Sequence, residues 1–180
     1  MLDNAGPEFE AICEALATSD WTTLFAALGD QPDFANRSNE LTGIPWFHVA
    51  IELGAPDVIS WMIENGADLN HFDAQGFAPL SYVAFREDNV AEITELLVRS
   101  GADIHAYDAI GNTALHVAAA SGSGIAVRAL LTAGANPLAF NSDTVPATPV
   151  DLAENAGHSS IVEMLKSAGR SATDAHDKGL

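Results

Sequence analysis

Residues 108–140 read DAIGNTALHVAAASGSGIAVRALLTAGANPLAF, an ordered series of turn and helix signals. Asp108 to Asn112 is turn-forming, because a glycine stands there between short polar side chains. Thr113 can cap the next helix by accepting a hydrogen bond from one of its first backbone N–H groups. Ser121 to Gly124 ends that helix, and a second helix ends at Gly134, which suits the left-handed conformation of a helix C-terminus. The sequence predicts a unit of two short helices framed by turns.

Such a unit cannot bury its own apolar face, so copies are expected on either side of it. The pattern Gly-Ala-(Asp/Asn) recurs at 66–68, 101–103 and 134–136, and Gly169 occupies a fourth matching place. The successive glycines are 35, 33 and 35 residues apart. The chain is therefore predicted to be a repeat protein in which neighbouring units cover one another.

The repeat resembles the ankyrin repeat family in its period, its opening Asp-x-x-Gly-x-Thr, its Ala-Leu-His-x-Ala-Ala run and its closing Leu-Leu-x-x-Gly-Ala. The resemblance implies an all-α solenoid of helix-turn-helix units joined by hairpin-like loops. It also implies that His48 and His116 tie neighbouring hairpin loops together through backbone hydrogen bonds. Ser81 and Asp151 occupy the matching places in the other two repeats.

The same pattern divides the chain into a capping unit, four repeats and two terminal segments. The predicted boundaries are a flexible N-terminus at 1–7, a cap at 8–39, repeats at 40–72, 73–107, 108–140 and 141–169, and a disordered tail at 170–180. The second repeat is two residues longer than the period, and the extra residues are placed between its helices, at Phe85 to Glu92. The last repeat has two extra residues before Thr148, around Ser142 to Ala147.

The charge of the chain is strongly and unevenly negative. The 25 acidic and 7 basic residues give a formal net charge of −18. Residues 1–85 hold 13 acids and one base, Arg37, whereas residues 86–180 hold 12 acids and 6 bases. Such a surface repels nucleic acid and anionic membranes. Solubility alone could explain the acidity, and so could a basic partner that meets the N-terminal half of the chain.

Membrane insertion and export are not indicated. No apolar run approaches the roughly 18 residues that span a bilayer. The first 15 residues hold Asp3, Glu8, Glu10 and Glu14 and no base, which is unlike a secretory signal. We therefore expect a cytoplasmic protein that is monomeric when free.

The sequence offers little for catalysis or for a cofactor. Cys13 lies on an apolar helical face and is interpreted as buried filler. The remaining histidines, His71, His105, His158 and His176, show no spacing of three metal ligands. Ser121 to Gly124 lacks the following lysine and the preceding strand of a phosphate loop, and an inter-helix turn explains it. We predict no enzyme, no metal and no cofactor.

An aromatic residue stands immediately before the opening Asp or Asn of three successive repeats. These residues, Phe72, Tyr107 and Phe140, are named here the aromatic ladder. They could anchor a partner, since binding hot spots favour large aromatic side chains, or they could pack against neighbouring hairpins. The other candidate partner-binding residues are apolar side chains at variable positions and acids of the N-terminal half: Phe77, Phe85, Ile44, Ile110, Glu52, Asp57 and Glu64.

These observations predict a non-catalytic module that binds another protein. In the resembling family, partners bind the concave side, which is made of hairpin tips and inner helices. An isolated acidic array suits a stoichiometric inhibitor that occludes a basic partner, for example an immunity protein against a toxin or nuclease. The alternative is an adaptor or scaffold without inhibitory action, and an enzyme is a distant third.

Overall fold

A computed structural model describes residues 7–28, 33–38, 42–142 and 145–177 of the chain. Their secondary structure is helical, with an isolated antiparallel bridge between Ser38 and Pro45. The α-helices are α1 (Pro7–Thr18), α2 (Trp21–Leu28), α3 (Trp46–Leu53), α4 (Pro56–Glu64), α5 (Val90–Ser100), α6 (Ala114–Ser121), α7 (Gly124–Thr132), α8 (Pro149–Asn155) and α9 (Ser159–Asp177). Phe34–Asn36 and Pro79–Phe85 form 3-10 helices.

The helices stack in two layers. The first helix of each unit contacts the first helix of the next, in the order α1, α3, the 3-10 helix Pro79–Phe85, α6 and α8. The second layer holds α4, α5, α7 and α9 in the same order, and α2 joins it through aromatic side chains. The predicted all-α repeat solenoid is confirmed.

One apolar core runs through all the units between the two layers. Ala118 and Ala119 of α6 are fully buried, and their small side chains let the neighbouring helices approach closely. Every unit contributes large side chains to the core, and those with almost no exposed surface are Phe47, Leu16, Leu24, Ile51, Ile59, Met62, Ile93, Leu97, Leu115, Leu130, Ile161 and Leu165.

The hairpin tips of successive repeats are bonded directly to one another. The N–H group of Ala109 donates to the carbonyl oxygen of Gly76 at 2.8 Å, and Ser142 donates to Gly111 at 3.0 Å. Gly111 has φ +86°, and a Cβ atom at this position would lie 1.9 Å from Oγ of Ser142. The tips therefore stack with no room for a side chain at this glycine.

The insertions lie where the sequence predicts them. Residues 86–89 separate the helices of the second repeat, whereas residues 54–55 separate α3 from α4. In the last hairpin the closing hydrogen bond runs from Asn141 to Ala147. In the regular repeat the corresponding bond runs from Asp108 to Asn112. The two extra residues of the second repeat therefore lengthen its inter-helix turn and leave the helices in register, and residues 143–144 of the last hairpin lie outside the described residues.

The C-terminal boundary is wrong. α9 continues through Gly169 to Asp177, although we expected the repeat to end at Gly169 and residues 170–180 to be disordered. No proline or glycine interrupts residues 170–177, so the helix can continue through them. Gly169 is buried, and its missing Cβ leaves space for Leu138, whose Cδ2 would lie 3.0 Å from it. Residues 178–180 lie outside the described residues.

The N-terminal boundary differs by one residue. Pro7 is the first residue of α1, a position that suits proline because the first helical N–H group needs no partner. The rest of the segment expected to be flexible, residues 1–6, lies outside the described residues.

Candidate functional site

His116 joins the hairpin of its own repeat to the hairpin of the next one. The Thr113 N–H group donates to Nδ1 of His116 at 3.2 Å, and Nε2 donates to the carbonyl oxygen of Ala147 at 3.1 Å. This pattern places the ring proton on Nε2, since a carbonyl oxygen only accepts. Burial lowers the pKa of His116, so the ring stays neutral. The role implied for this histidine is confirmed.

His48 makes the corresponding bond through Nε2, but its Nδ1 lacks the hydrogen bond that Nδ1 of His116 accepts. Its Nε2 lies 3.3 Å from the carbonyl oxygen of Phe77 in the next hairpin. Nδ1 has no hydrogen-bond partner among the described residues, because the residue that caps α3 is Pro45, which has no N–H group. Burial lowers the pKa of His48 to about 4.

Asp151 occupies the matching place in the last repeat and closes only its own helix. Its Oδ2 accepts hydrogen bonds from the Thr148 N–H at 2.7 Å and from the Thr148 hydroxyl at 2.6 Å. These bonds lower the pKa of Asp151. A carboxylate thus replaces the histidine in the unit that ends the array.

The described residues show no arrangement that would hold a metal ion, since no three His, Cys, Asp or Glu side chains come together in them. Cys13 is half-buried, and burial together with Glu52 and Glu10 raises the pKa of its thiol to about 11. A thiol with such a pKa is a poor nucleophile at neutral pH. None of the helices in the described part of the chain has the length and apolar character needed to cross a membrane.

The aromatic ladder lies at the base of three successive hairpins and is exposed to solvent. Phe72, Tyr107 and Phe140 have 42, 48 and 60% of their surface exposed. Each one directly precedes the residue whose N–H group closes its hairpin. Because the side chains occupy the same place in three stacked units, they form a row of apolar surface along one edge of the solenoid.

Tyr107, the middle residue of the ladder, borders a small cleft between two successive repeats. The cleft has a volume of about 180 Å³ and is lined on the other side by Asn136 and Ala139. Ile104, His105 and Thr113 complete the lining. A partner side chain could therefore insert beside Tyr107, between two loops.

Phe77 and Phe85, which the sequence places eight positions apart, meet in the folded chain. Their ring centroids are 6.3 Å apart, and Tyr82 contacts them at 6.5 and 5.8 Å respectively. The Tyr82 hydroxyl donates to Oδ2 of Asp73 at 2.5 Å. Phe85 is exposed and Phe77 is half-buried, so this group, named here the Phe77 cluster, extends the apolar surface of the hairpin side.

Sequence reasoning missed Tyr82 as a member of this cluster. The usable signal is its spacing from Phe85, since residues three apart share one face of a short helix. Burial and the bond to Asp73 raise the pKa of the Tyr82 hydroxyl, so it remains a donor.

The two isoleucine candidates lie at hairpin tips. Ile110 is exposed beside Gly111, and Ile44 is half-buried against the core. Ile110 is therefore available to a partner, whereas much of Ile44 supports the stack.

The three acidic candidates are not brought together with the aromatic ladder. Glu52 is half-buried on α3, and burial raises the pKa of its carboxyl group. Asp57 and Glu64 are exposed on α4, in the second layer. Asp57 accepts a hydrogen bond of 2.7 Å from the hydroxyl of Ser19. The acids and the ladder therefore occupy different elements of the fold.

Comparison with family models gives two overlapping matches. A family described as ankyrin repeats (3 copies) matches residues 80–176, and one described as ankyrin repeats (many copies) matches residues 47–98. The comparison with curated proteins returned no match.

Proposed function

The chain belongs to the ankyrin repeat family, whose members are protein–protein interaction modules, and from this premise we propose that it binds and occludes a basic protein partner. The binding surface would be the hairpin side, with the aromatic ladder at its centre. The proposed action is non-catalytic and takes place in the cytoplasm.

The exposed row of Phe72, Tyr107 and Phe140 carries the proposal. Scattered apolar side chains are ordinary on a protein surface, whereas exposed aromatic residues repeated at one place in successive units suit a partner that spans several repeats. Large aromatic side chains supply much of the binding energy of protein interfaces when a partner covers them. The Phe77 cluster and Ile110 enlarge the same patch.

A basic partner is supported by charge. The formal net charge of −18 attracts positively charged proteins and raises their association rate. Exposed carboxylates such as Asp57 and Glu64 contribute to this field. The same net charge opposes self-association, which supports a monomer in the absence of a partner.

Occlusion is favoured over scaffolding because an acidic surface competes directly for a basic functional face. A toxin or nuclease that binds nucleic acid presents such a face. Coverage of that face by an acidic array would inhibit the partner in a one-to-one complex, as an immunity protein does. An adaptor would instead leave the activity of its partner unchanged.

Capture of the native partner tests the proposal. The tagged chain is used to isolate partners from its own cells, and a triple variant of the ladder (Phe72→Ala, Tyr107→Ala, Phe140→Ala) serves as the matched control. We expect a basic protein that is retained by the parent and lost by the triple variant. The activity of the isolated partner, titrated with the chain, should fall to zero at a one-to-one ratio. Retention by both baits would exclude the ladder, and unchanged activity at saturation would identify an adaptor.

A further inference from the structure

A second aromatic group lies in the second helix layer, away from the hairpins. The ring centroids of Trp21 and Phe25 of α2 are 5.8 Å apart, and each lies 5.6 Å from the ring of Trp61 on α4. Phe25 has 52% of its surface exposed, and the two tryptophans are half-buried. This group is named here the aromatic triad.

Contacts other than those of the triad already hold α2 against its neighbours. Leu24 of α2 is buried in the core and holds the helix in place. Ser19 bonds to Asp57 at 2.7 Å and ties the turn before α2 to the start of α4. Trp61 meets the other two rings edge to face at interplanar angles of 70 and 84°, and about half of the Phe25 surface remains exposed to solvent. Large exposed apolar groups of this kind mark interaction sites.

A groove lies along the same helix, α4, beside the triad. It has a volume of about 770 Å³ and runs between α4 and α5. Pro56, Leu96 and Ser60 line its less polar part, and its charged lining is Asp57, Glu92, Glu95 and Arg99. Arg99 is bonded to Glu95 at 3.0 Å, so the groove carries more negative than positive charge.

The triad and the groove form one surface. Asp57 and Trp61 are four residues apart on α4 and therefore lie on neighbouring turns of one helix face. Asp57 also lines the groove. The surface thus changes from aromatic at α2 to acidic at α5.

We propose that this surface binds a basic amphipathic segment of a protein, with its apolar residues on the triad and its lysines or arginines in the groove. A helix that lays one face into a groove is a common form of peptide recognition, and a cation over an indole or phenyl ring adds to the attraction. Glu64, exposed one turn after Trp61, supplies a further carboxylate at the triad.

Charge selects this occupant over a second copy of the chain. Two copies of the chain would repel each other, because each carries a formal net charge of −18. Nucleic acid and anionic lipid are repelled for the same reason. The surface lies on elements that the aromatic ladder does not use, so this inference stands independently of the proposed function.

Tryptophan fluorescence of the full chain provides the test. The probe is a synthetic amphipathic helix of leucine and lysine, and the control peptide has glutamate in place of each lysine. Trp46 is buried, so a change in emission reports on Trp21 and Trp61. We expect saturable binding of the lysine peptide only. Equal binding of the glutamate peptide, or no saturable binding of either, overturns the proposal.

Matched variants separate this surface from the general charge of the chain. Phe25→Ser removes the exposed ring, and Asp57→Asn with Glu92→Gln neutralises two carboxylates of the groove. Glu87→Gln with Glu163→Gln neutralises two exposed acids elsewhere. We expect each surface variant to weaken binding of the peptide about tenfold and the matched pair to leave it unchanged. An equal loss of affinity in the two double charge variants would show general electrostatic attraction without a specific site and would overturn the proposal. Circular dichroism checks that each variant is folded.

Discussion

The guanidinium group of Arg86 donates a hydrogen bond of 3.0 Å to the carbonyl oxygen of Gly54, which directly follows α3 in the preceding repeat. Its Nη1 also donates to the carbonyl oxygen of Ile51 at 2.5 Å, and its Nη2 pairs with the Asp88 carboxylate at 2.9 Å. Arg86 is buried, so these bonds replace the water that would otherwise solvate the end of α3. A positive charge at a helix C-terminus is also favourable to the helix dipole.

Arg86→Ala should therefore destabilise the chain strongly. The variant leaves the carbonyl groups of Ile51 and Gly54 without their donor in a buried place, and we expect a loss of about 2–4 kcal/mol in the free energy of unfolding. Urea unfolding followed by circular dichroism measures the loss. Arg99→Ala is the control, because the exposed pair with Glu95 is worth less than about 1 kcal/mol. Equal effects of the two substitutions would contradict the bridging role of Arg86.

Gly111→Ala tests the stacking of the hairpin tips. The alanine would have to adopt φ +86°, and its Cβ atom would lie 1.9 Å from Oγ of Ser142. Gly66→Ala is a matched control, since Gly66 has φ +88° and open space around its Cβ position. Backbone strain should cost each variant about 1 kcal/mol, and Gly111→Ala should lose at least about 1 kcal/mol more. Identical urea midpoints for the two variants would show that the hairpin tips can move apart to fit the methyl group without loss of stability.

His48 should make stability depend on pH in one direction. Its pKa falls from 6.5 to about 4 on folding because burial disfavours the charged ring; Asp73 opposes this shift and the charge of His71 adds to it. The unfolded chain then binds more protons between these values, so stability is lost as the pH falls from about 6.5 to about 4. At about 1.4 kcal/mol for each pKa unit, the loss is on the order of 3 kcal/mol.

His48→Gln isolates this contribution from that of the many carboxylates. The difference in unfolding free energy between the parent and this variant should shrink as the pH falls from 7 to 4. The exposed His105→Gln serves as control, and its difference from the parent should stay nearly constant. Urea unfolding at several pH values gives both differences, and a constant difference for His48→Gln would refute a buried neutral ring.

The aromatic ladder and the acidic surface should affect different steps of partner binding. Added salt screens exposed charges beyond about 8–10 Å and should slow association with the captured partner. Tyr107→Ala removes a short-range contact and should speed dissociation, with a loss on the order of 2 kcal/mol. Surface plasmon resonance resolves the two rates. An association rate that does not change with salt would contradict electrostatic attraction of the partner. An unchanged dissociation rate for Tyr107→Ala would show that Tyr107 only packs against its hairpin.

The repeat register was predictable because it depends on local chemistry that each unit repeats. The cap illustrates this: Asn36 donates to the carbonyl oxygen of Gly66 at 2.9 Å and accepts from Asp68 at 2.7 Å. Asn70 accepts from Asp103 at 3.0 Å and donates to Gly101 at 3.4 Å in the same way. Asn36 of the cap and Asn70 of the first repeat therefore share one pattern of hydrogen bonds to the following unit.

The features that sequence reasoning missed depend on contacts between different units. Trp21 and Phe25 repeat the helical spacing of a core face, yet Phe25 is half exposed and its ring meets Trp61 of another unit edge to face. Arg86 looked like part of a long turn, and its partners lie in the preceding repeat. No periodicity within one unit encodes either contact.

The hydrogen bonds of the hairpin side give the array a direction. His48, His116, Asn36 and Asn70 each offer a side chain to the backbone of the following unit. Removal of the last unit would take away the carbonyl acceptor of the His116 imidazole, whereas removal of the cap would take away the side chain that bonds to the backbone of Gly66 and Asp68. Asp151 instead bonds to Thr148 at the start of its own helix. The two ends of the solenoid are therefore not interchangeable, and a grafted repeat would be accepted according to the side chains of the unit before it.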